Sequence, residues 1–189
     1  MYNIYKTNAF VLAADNFGEA NRFVYLLTDE LGFLRAAVQG VRELKSKLKN
    51  ALQPFSYSEV SLVRGKDVWR VTGARRQDNF DVVFKNPDKI TSAARIFSVV
   101  KRMSGELGHD EGLFNVVYDG ISFLAKDVDE KDLSTFDIVF AAKVLEKLGY
   151  WSEPTLMTEK SWEEGMAAVG LQKANFILLI NRSLQSSHL

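Results

Sequence analysis

Ten cations crowd into one stretch of an otherwise neutral chain. Between Arg35 and Arg76 lie Arg35, Arg42, Lys45, Lys47, Lys49, Arg64, Lys66, Arg70, Arg75 and Arg76, against only Glu43, Glu59 and Asp67. The 189 residues as a whole carry 24 basic and 24 acidic side chains. Residues 1–80 hold 12 basic and 8 acidic groups, so the remainder is acidic by the same margin. A basic concentration in a neutral chain suits a surface that meets a polyanion, nucleic acid above all. Gripping a flexible single strand takes cations spaced along a groove and flat side chains for the bases. Phe33, Phe55, Tyr57 and Trp69 are the flat side chains in reach, and each fits a core role as well as a stacking one.

Other chemistries find less support. The chain has no cysteine, which excludes disulfides, thiolate metal sites and cysteine nucleophiles. His109 and His188 are too far apart in sequence to suggest a metal site. Asp127, Asp129, Glu130 and Asp132 form an acidic cluster that a metal-dependent nuclease could use, but an interhelical loop there reads better as solvated or capping. No G-x-x-x-x-G-K-[ST] loop exists to cradle a nucleotide. The expectation is a non-enzymatic protein with no metal and no cofactor. No leader and no apolar run of about 20 residues is visible, so the expected location is cytoplasmic, away from membranes.

The elements that position these cations change character along the chain. Tyr5 to Ala14, Arg22 to Thr28 and Phe33 to Val41 alternate with period two and are bounded by Asn, Asp and Gly, the pattern of strands joined by short turns. Glu43 to Leu52 has helix formers, with Leu44, Leu48 and Ala51 or Leu52 along one edge, and Pro54 stops it. Phe55 to Val63 and Val68 to Gly73 follow as strands around Arg64-Gly65-Lys66-Asp67. Five strands with a helical connection predict a small barrel, of which the OB-fold is the commonest. From Ser92 the spacing becomes helical: Ala93, Ile96, Phe97, Val100, Met103; then Leu113 to Leu124; then Phe136 to Leu148, with Gly149 as cap; then Lys173 to Leu184. The expected fold is α+β: residues 1–80 an OB-fold β-barrel for nucleic acid, residues 81–189 an α-helical domain, with Phe80 to Phe84 packing the two together.

Within that frame the lysines have two possible settings. On a helix Lys45, Lys47 and Lys49 spread over an arc of about 200°; in an extended loop all three share one side. Arg64 and Lys66 flank a hairpin tip. Arg35 and Gln39 share a strand face, and Arg70 joins from the last strand.

Two long segments, YKTNAFVLAADNFGEANRFVYLLTDELG and GVRELKSKLKNALQPFSYSEVSLVRGKDVWRVTGA, resemble the bacterial RecO recombination-mediator family. The most specific pieces are Lys45-Ser46-Lys47-Leu48, Leu52-Gln53-Pro54-Phe55-Ser56 and Leu62-Val63-Arg64-Gly65-Lys66. Leu113-Phe114, Phe136 and Leu148-Gly149-Tyr150 match more loosely. The resemblance implies binding of single- and double-stranded DNA, annealing of complementary strands, and help in loading RecA onto DNA covered by single-strand-binding protein. It implies RecR as a partner, a nucleoid-associated setting, and a basic-rimmed pocket in the helical half for the acidic tail of single-strand-binding protein. Candidates for that pocket are Arg95, Lys101, Arg102, Lys143 and Lys147. Many family members carry a four-cysteine zinc cluster after the Leu-Gly-Tyr segment; this chain reads WSEPTLMTEKSWEEGMAAVGLQKANF there and cannot build one. A competing reading keeps the fold but makes the protein a partner-recruiting adaptor with little DNA affinity.

Overall fold

The computed structural model describes residues 3–43, 45–104, 112–126, 128–151 and 157–186. Its first part is five strands: β1 (Ile4–Phe17), β2 (Asn21–Thr28), β3 (Gly32–Val38), β4 (Ser56–Arg64) and β5 (Trp69–Gln77). They close into a barrel in the order β1-β2-β3-β5-β4, with β4 pairing back onto β1. All neighbours are antiparallel except β3 and β5. Alternation fixes the inward face: Ala9, Val11, Val24, Leu26, Leu34, Ala36, Val38, Val60, Leu62 and Val71 fill the interior. β1 is buried on both sides through its middle, so Phe10 and Leu12 face away from that interior into a second core.

The expected OB-fold with a helical connection is corrected on two points. Among the described residues of 39–55 there is no helix, only successive turns. Ser46 and Lys49 close three-residue turns onto Glu43 and Ser46, and a single helix-type bond joins the Leu52 N–H to the Leu48 carbonyl. The Ser56 and Ser58 hydroxyls claim the Ala51 carbonyl at 2.9 and 2.7 Å, so β4 competes for the acceptors at the end of the segment. Leu44 lies outside the described residues, but Leu48 and the fully buried Leu52 turn into the interior, tying the connection down at its apolar positions. The second correction is the seam. β3 and β5 pair in parallel through Ala36–Trp69 and Ala37–Arg70 alone, so the sheet is mixed and its last join is thin.

The helices are α1 (Asp81–Phe84), α2 (Pro87–Ser104), α3 (Leu113–Lys126), α4 (Leu133–Lys147), α5 (Trp162–Leu171) and α6 (Lys173–Ser186), with a short 3-10 turn at Glu130–Asp132. Local chemistry sets their ends. Asn86 accepts from the Asp88 and Lys89 N–H groups ahead of Pro87 in the first turn of α2. At the end of α4, Gly149 takes φ 77°, and the Gly149 and Tyr150 N–H groups bond back to Glu146 and Leu145. That is the paired C-terminal closure only a left-handed residue permits. Ser161 and Glu164 form a reciprocal capping box on α5. The spacing of α5 gave no helical stripe, because only Gly165 and Val169 of its ten residues are buried.

Strands and helices share a core. Phe10, Leu12, Leu27 and Tyr57 from the sheet pack with Phe80, Val83 and Phe84 and with residues of α2, α3 and α4. Phe10 lies within 5.7 Å of the Tyr57, Phe80, Phe97 and Phe114 ring centres, a cluster typical of tightly packed aromatics. Burial pushes the Tyr57 hydroxyl up to about 12, with Tyr118 and Asp29 adding to the shift.

Candidate nucleic-acid interface

Four of the ten cations lie around the start of β5: Arg35 and Arg70 on the outer face of β3 and β5, and Arg64 and Lys66 at the β4–β5 hairpin. On β5, Arg70 points outward opposite Ala37 of β3, and Arg35 lies two residues earlier on β3, on the same face. Strand spacing and rise put the backbones of Arg35 and Arg70 about 8 Å apart. Arg64 and Lys66 project from the β4–β5 hairpin beside Arg70. There a groove of about 430 Å³ opens, with Ile4, Val63 and Thr72 as its other walls. None of these four cations has a carboxylate within 4 Å among the described residues. Ile4 is well exposed, so the groove has an apolar wall beside its charges. An anion with a hydrophobic body, such as a nucleotide unit, matches that lining.

The remaining cations of the segment are set elsewhere. Arg42 donates to the Gly18 carbonyl at 3.2 Å, and its own N–H to Ala20, so it ties the connection to the β1–β2 turn. Lys45, Lys47 and Lys49 are exposed in the turns that follow. The nine residues of β4 separate this connection from the hairpin by roughly 25–30 Å of strand. Arg75 meets Glu59 at 3.6 Å with both groups exposed, a weak pair. Arg76 is half-buried and binds Asp81 at 2.7 Å, so it joins β5 to α1.

The five cations suggested for a protein-tail pocket do not converge. Arg95 is paired with Asp137 at 2.6 Å, at the rim of a 40 Å³ cavity lined by Ile96, Val99, Phe140, Ala141 and Val144. Lys143 is buried, and its ammonium donates to the Met157 and Lys160 carbonyls at 2.6 Å each. Desolvation pulls its pKa below the ordinary lysine value, against the opposing fields of Glu146, Glu164 and Asp119. This lysine clips the segment ahead of α5 to α4 and offers no charge to a partner. Arg102 is exposed and Lys147 half-buried. Lys101 reaches back to the sheet, with Nζ 4.0 Å over the Tyr25 ring.

That contact exposes a feature the sequence reading passed over. Phe23 and Tyr25 stand outward on β2 and are half-buried, with Phe17 stacked on Phe23 at 4.1 Å and the Arg35 guanidinium 3.6 Å from the Phe23 centre. The signal was present: Phe23 and Tyr25 alternate with the inward Val24 and Leu26. Their phase marks them as aromatics on the outside of a strand. Trp69 takes the other phase; it is half-buried, packs against the interior residues and meets Tyr5 edge-on at 5.3 Å. Phe55, Phe33 and Tyr57 likewise pack against the shared core. Phe55 holds φ 62°, with its N–H bonded to the Val11 carbonyl at 2.9 Å.

Asp127, His109 and His188 lie outside the described residues. Among the described residues no three His, Asp or Glu side chains gather as a metal site would require, and no helix is long and apolar enough to cross a membrane.

Residues 1–80 match the family model described as recombination protein O N terminal. Over 153 residues the chain is 31% identical to the DNA repair protein RecO of Heliobacterium modesticaldum, covering 81% of this chain and 54% of that one. The chain belongs to the RecO family. The RecO of Dehalococcoides mccartyi is 43% identical over 76 residues, 40% of this chain and 30% of that one. That of Alkaliphilus metalliredigens is 28% identical over 144 residues, 76% of this chain and 58% of that one. The chain thus spans about half the length of the two RecO relatives that match most of it. Its sequence has no cysteine, and Lys143 pins the segment between α4 and α5 through two carbonyls.

Proposed function

We propose that this chain acts in DNA repair and recombination by binding DNA on the outer face of its sheet. The observation that carries the reading is the group Arg35, Arg64, Lys66 and Arg70, four exposed cations on β3, β5 and the β4–β5 hairpin with no carboxylate within 4 Å among the described residues. Its likeness to proteins named DNA repair protein RecO gives the biological setting. Binding of this kind needs no covalent step, so the reading is non-enzymatic. Residues 1–80 serve as the nucleic-acid unit and residues 81–189 as the protein-facing one. The finer reading is that of a mediator: it binds single- and double-stranded DNA, anneals complementary strands, and with RecR helps RecA onto DNA held by single-strand-binding protein. The crease between α2 and α4, with Arg95 at its rim, is the place offered for that protein's acidic tail.

Binding to a fluorescent oligonucleotide across a salt series tests the DNA reading. Four phosphates neutralised on a single strand give a slope of about −2.8 in log K against log salt. Replacing Arg64, Lys66 and Arg70 together by Ala is expected to flatten it by about 2. Absence of binding even at about 50 mM salt rejects the reading. Strand annealing in the presence of cognate single-strand-binding protein then tests the mediator role.

A further inference from the structure

Three flat groups form a column on the outer face of β1, β2 and β3. Phe17 and Phe23 stack with their planes 22° apart, and Arg35 Cζ lies 3.6 Å from the Phe23 centre. Two groups that close to one ring centre must occupy its opposite sides, so the order is Phe17, Phe23, Arg35. Tyr25 follows on β2 opposite Arg35, with the Lys101 ammonium 4.0 Å over its ring. Both cations rest on aromatic faces, which fixes their position, and neither makes an ion pair within 4 Å among the described residues. Asp15, the carboxylate beside them, accepts from the Tyr25 hydroxyl at 2.8 Å, and this bond raises the hydroxyl's pKa. Phe17, Phe23 and Tyr25 all stay half-buried although the helices and the interior bury many other rings completely.

We propose that this column is a seat for unpaired nucleobases. A base extends the stack on the open side of Phe17 or against the Arg35 guanidinium, while the flanking phosphates meet Lys101 on one side and Arg70 on the other. The inference rests on the DNA-binding reading above and deepens it by naming the single strand as the preferred ligand. In a duplex each base already has neighbours on both faces, so the column adds affinity only where bases are free. It also moves Lys101, a residue of the helical part, onto the DNA track.

Phe17→Leu and Arg35→Lys test the idea because each keeps the charge of the face while removing a flat surface. Each is expected to weaken binding of a single-stranded oligonucleotide by about 5- to 150-fold. The salt slope and the affinity for duplex of the same sequence should stay as in the unaltered protein. Phe17→Tyr is expected to restore the loss. Unchanged single-strand affinity in both variants, or equal losses on single strand and duplex, overturns the seat while leaving the DNA-binding reading intact. An unaltered protein that binds neither form rejects the broader reading instead. Photocrosslinking of a 5-iodouracil oligonucleotide to the unaltered protein needs no variant to fold. Adducts at Phe17, Phe23 or Tyr25 support the seat, and adducts confined to other residues overturn it.

Discussion

Arg76 shows how little a residue's type says about its task. By type and position it belongs with the basic segment, yet its guanidinium lies 2.7 Å from Asp81 while Lys85 holds the other carboxylate oxygen at 2.6 Å. These two hydrogen bonds hold the Asp81 carboxyl below its usual 3.8, with Lys85 the larger influence. The folded chain therefore binds that proton less readily than the unfolded chain does. The stability gained is fully present above the unfolded value and is lost as pH falls through the lowered one. Thermal melts of Asp81→Asn are expected to show lower stability at neutral pH and a shallower loss between about pH 5 and pH 2. A melting curve as acid-sensitive as that of the unaltered protein would remove Asp81 from this role. Arg35 and Lys101 make the opposite case. Nothing in the sequence says that their partners are rings, because those rings, Phe23 and Tyr25, lie on β2, a different element from either cation.

At the level of elements, strands and helices were legible wherever one face is buried. The five strand runs appear within a few residues of their expected ends, and the stripes of α2, α3 and α4 fall where the apolar spacing put them; α6 forms where expected but leaves Ile177 and Leu178 exposed. The connection over 39–55 misled because helix propensity is weak beside tertiary demands: Leu48 and Leu52 are drawn into the interior and serine hydroxyls claim the Ala51 carbonyl. The contact of α3 with α4 carries a sharper test. A Cβ on Gly120 would clash with the edge of the Phe140 ring, which is itself fully buried. Gly120→Ala gains about 1 kcal/mol in helix propensity but forces an overpacked core that costs about 1–3 kcal/mol or more. Net destabilisation in denaturant unfolding is the expected result, and a more stable variant would contradict the packing.

Across the whole molecule, the basic segment resolves into separate places. The lysine connection sits at one end of β4, and the Arg64–Lys66–Arg70 hairpin at the other. A short oligonucleotide cannot reach both. Replacing Lys45, Lys47 and Lys49 together by Ala is expected to leave binding of about 4 nucleotides unchanged while flattening the salt slope for about 16 nucleotides. If all three lysines touch phosphate, the change in slope is about 2. Equal effects at both lengths would mean that the connection folds back to the hairpin. By itself the sequence determined the family, the strand-then-helix order, the apolar stripes of the strands and helices, and the identity of the cations. Those properties follow from local period and composition, which record whether a face meets water or protein. Tertiary structure alone decided which cations are free, which are tied to carboxylates or carbonyls, and which rest on rings. That assignment depends on how β3 meets β5 and how α1 and α2 dock on the sheet. Such pairings join residues far apart in the chain, and no local pattern encodes them.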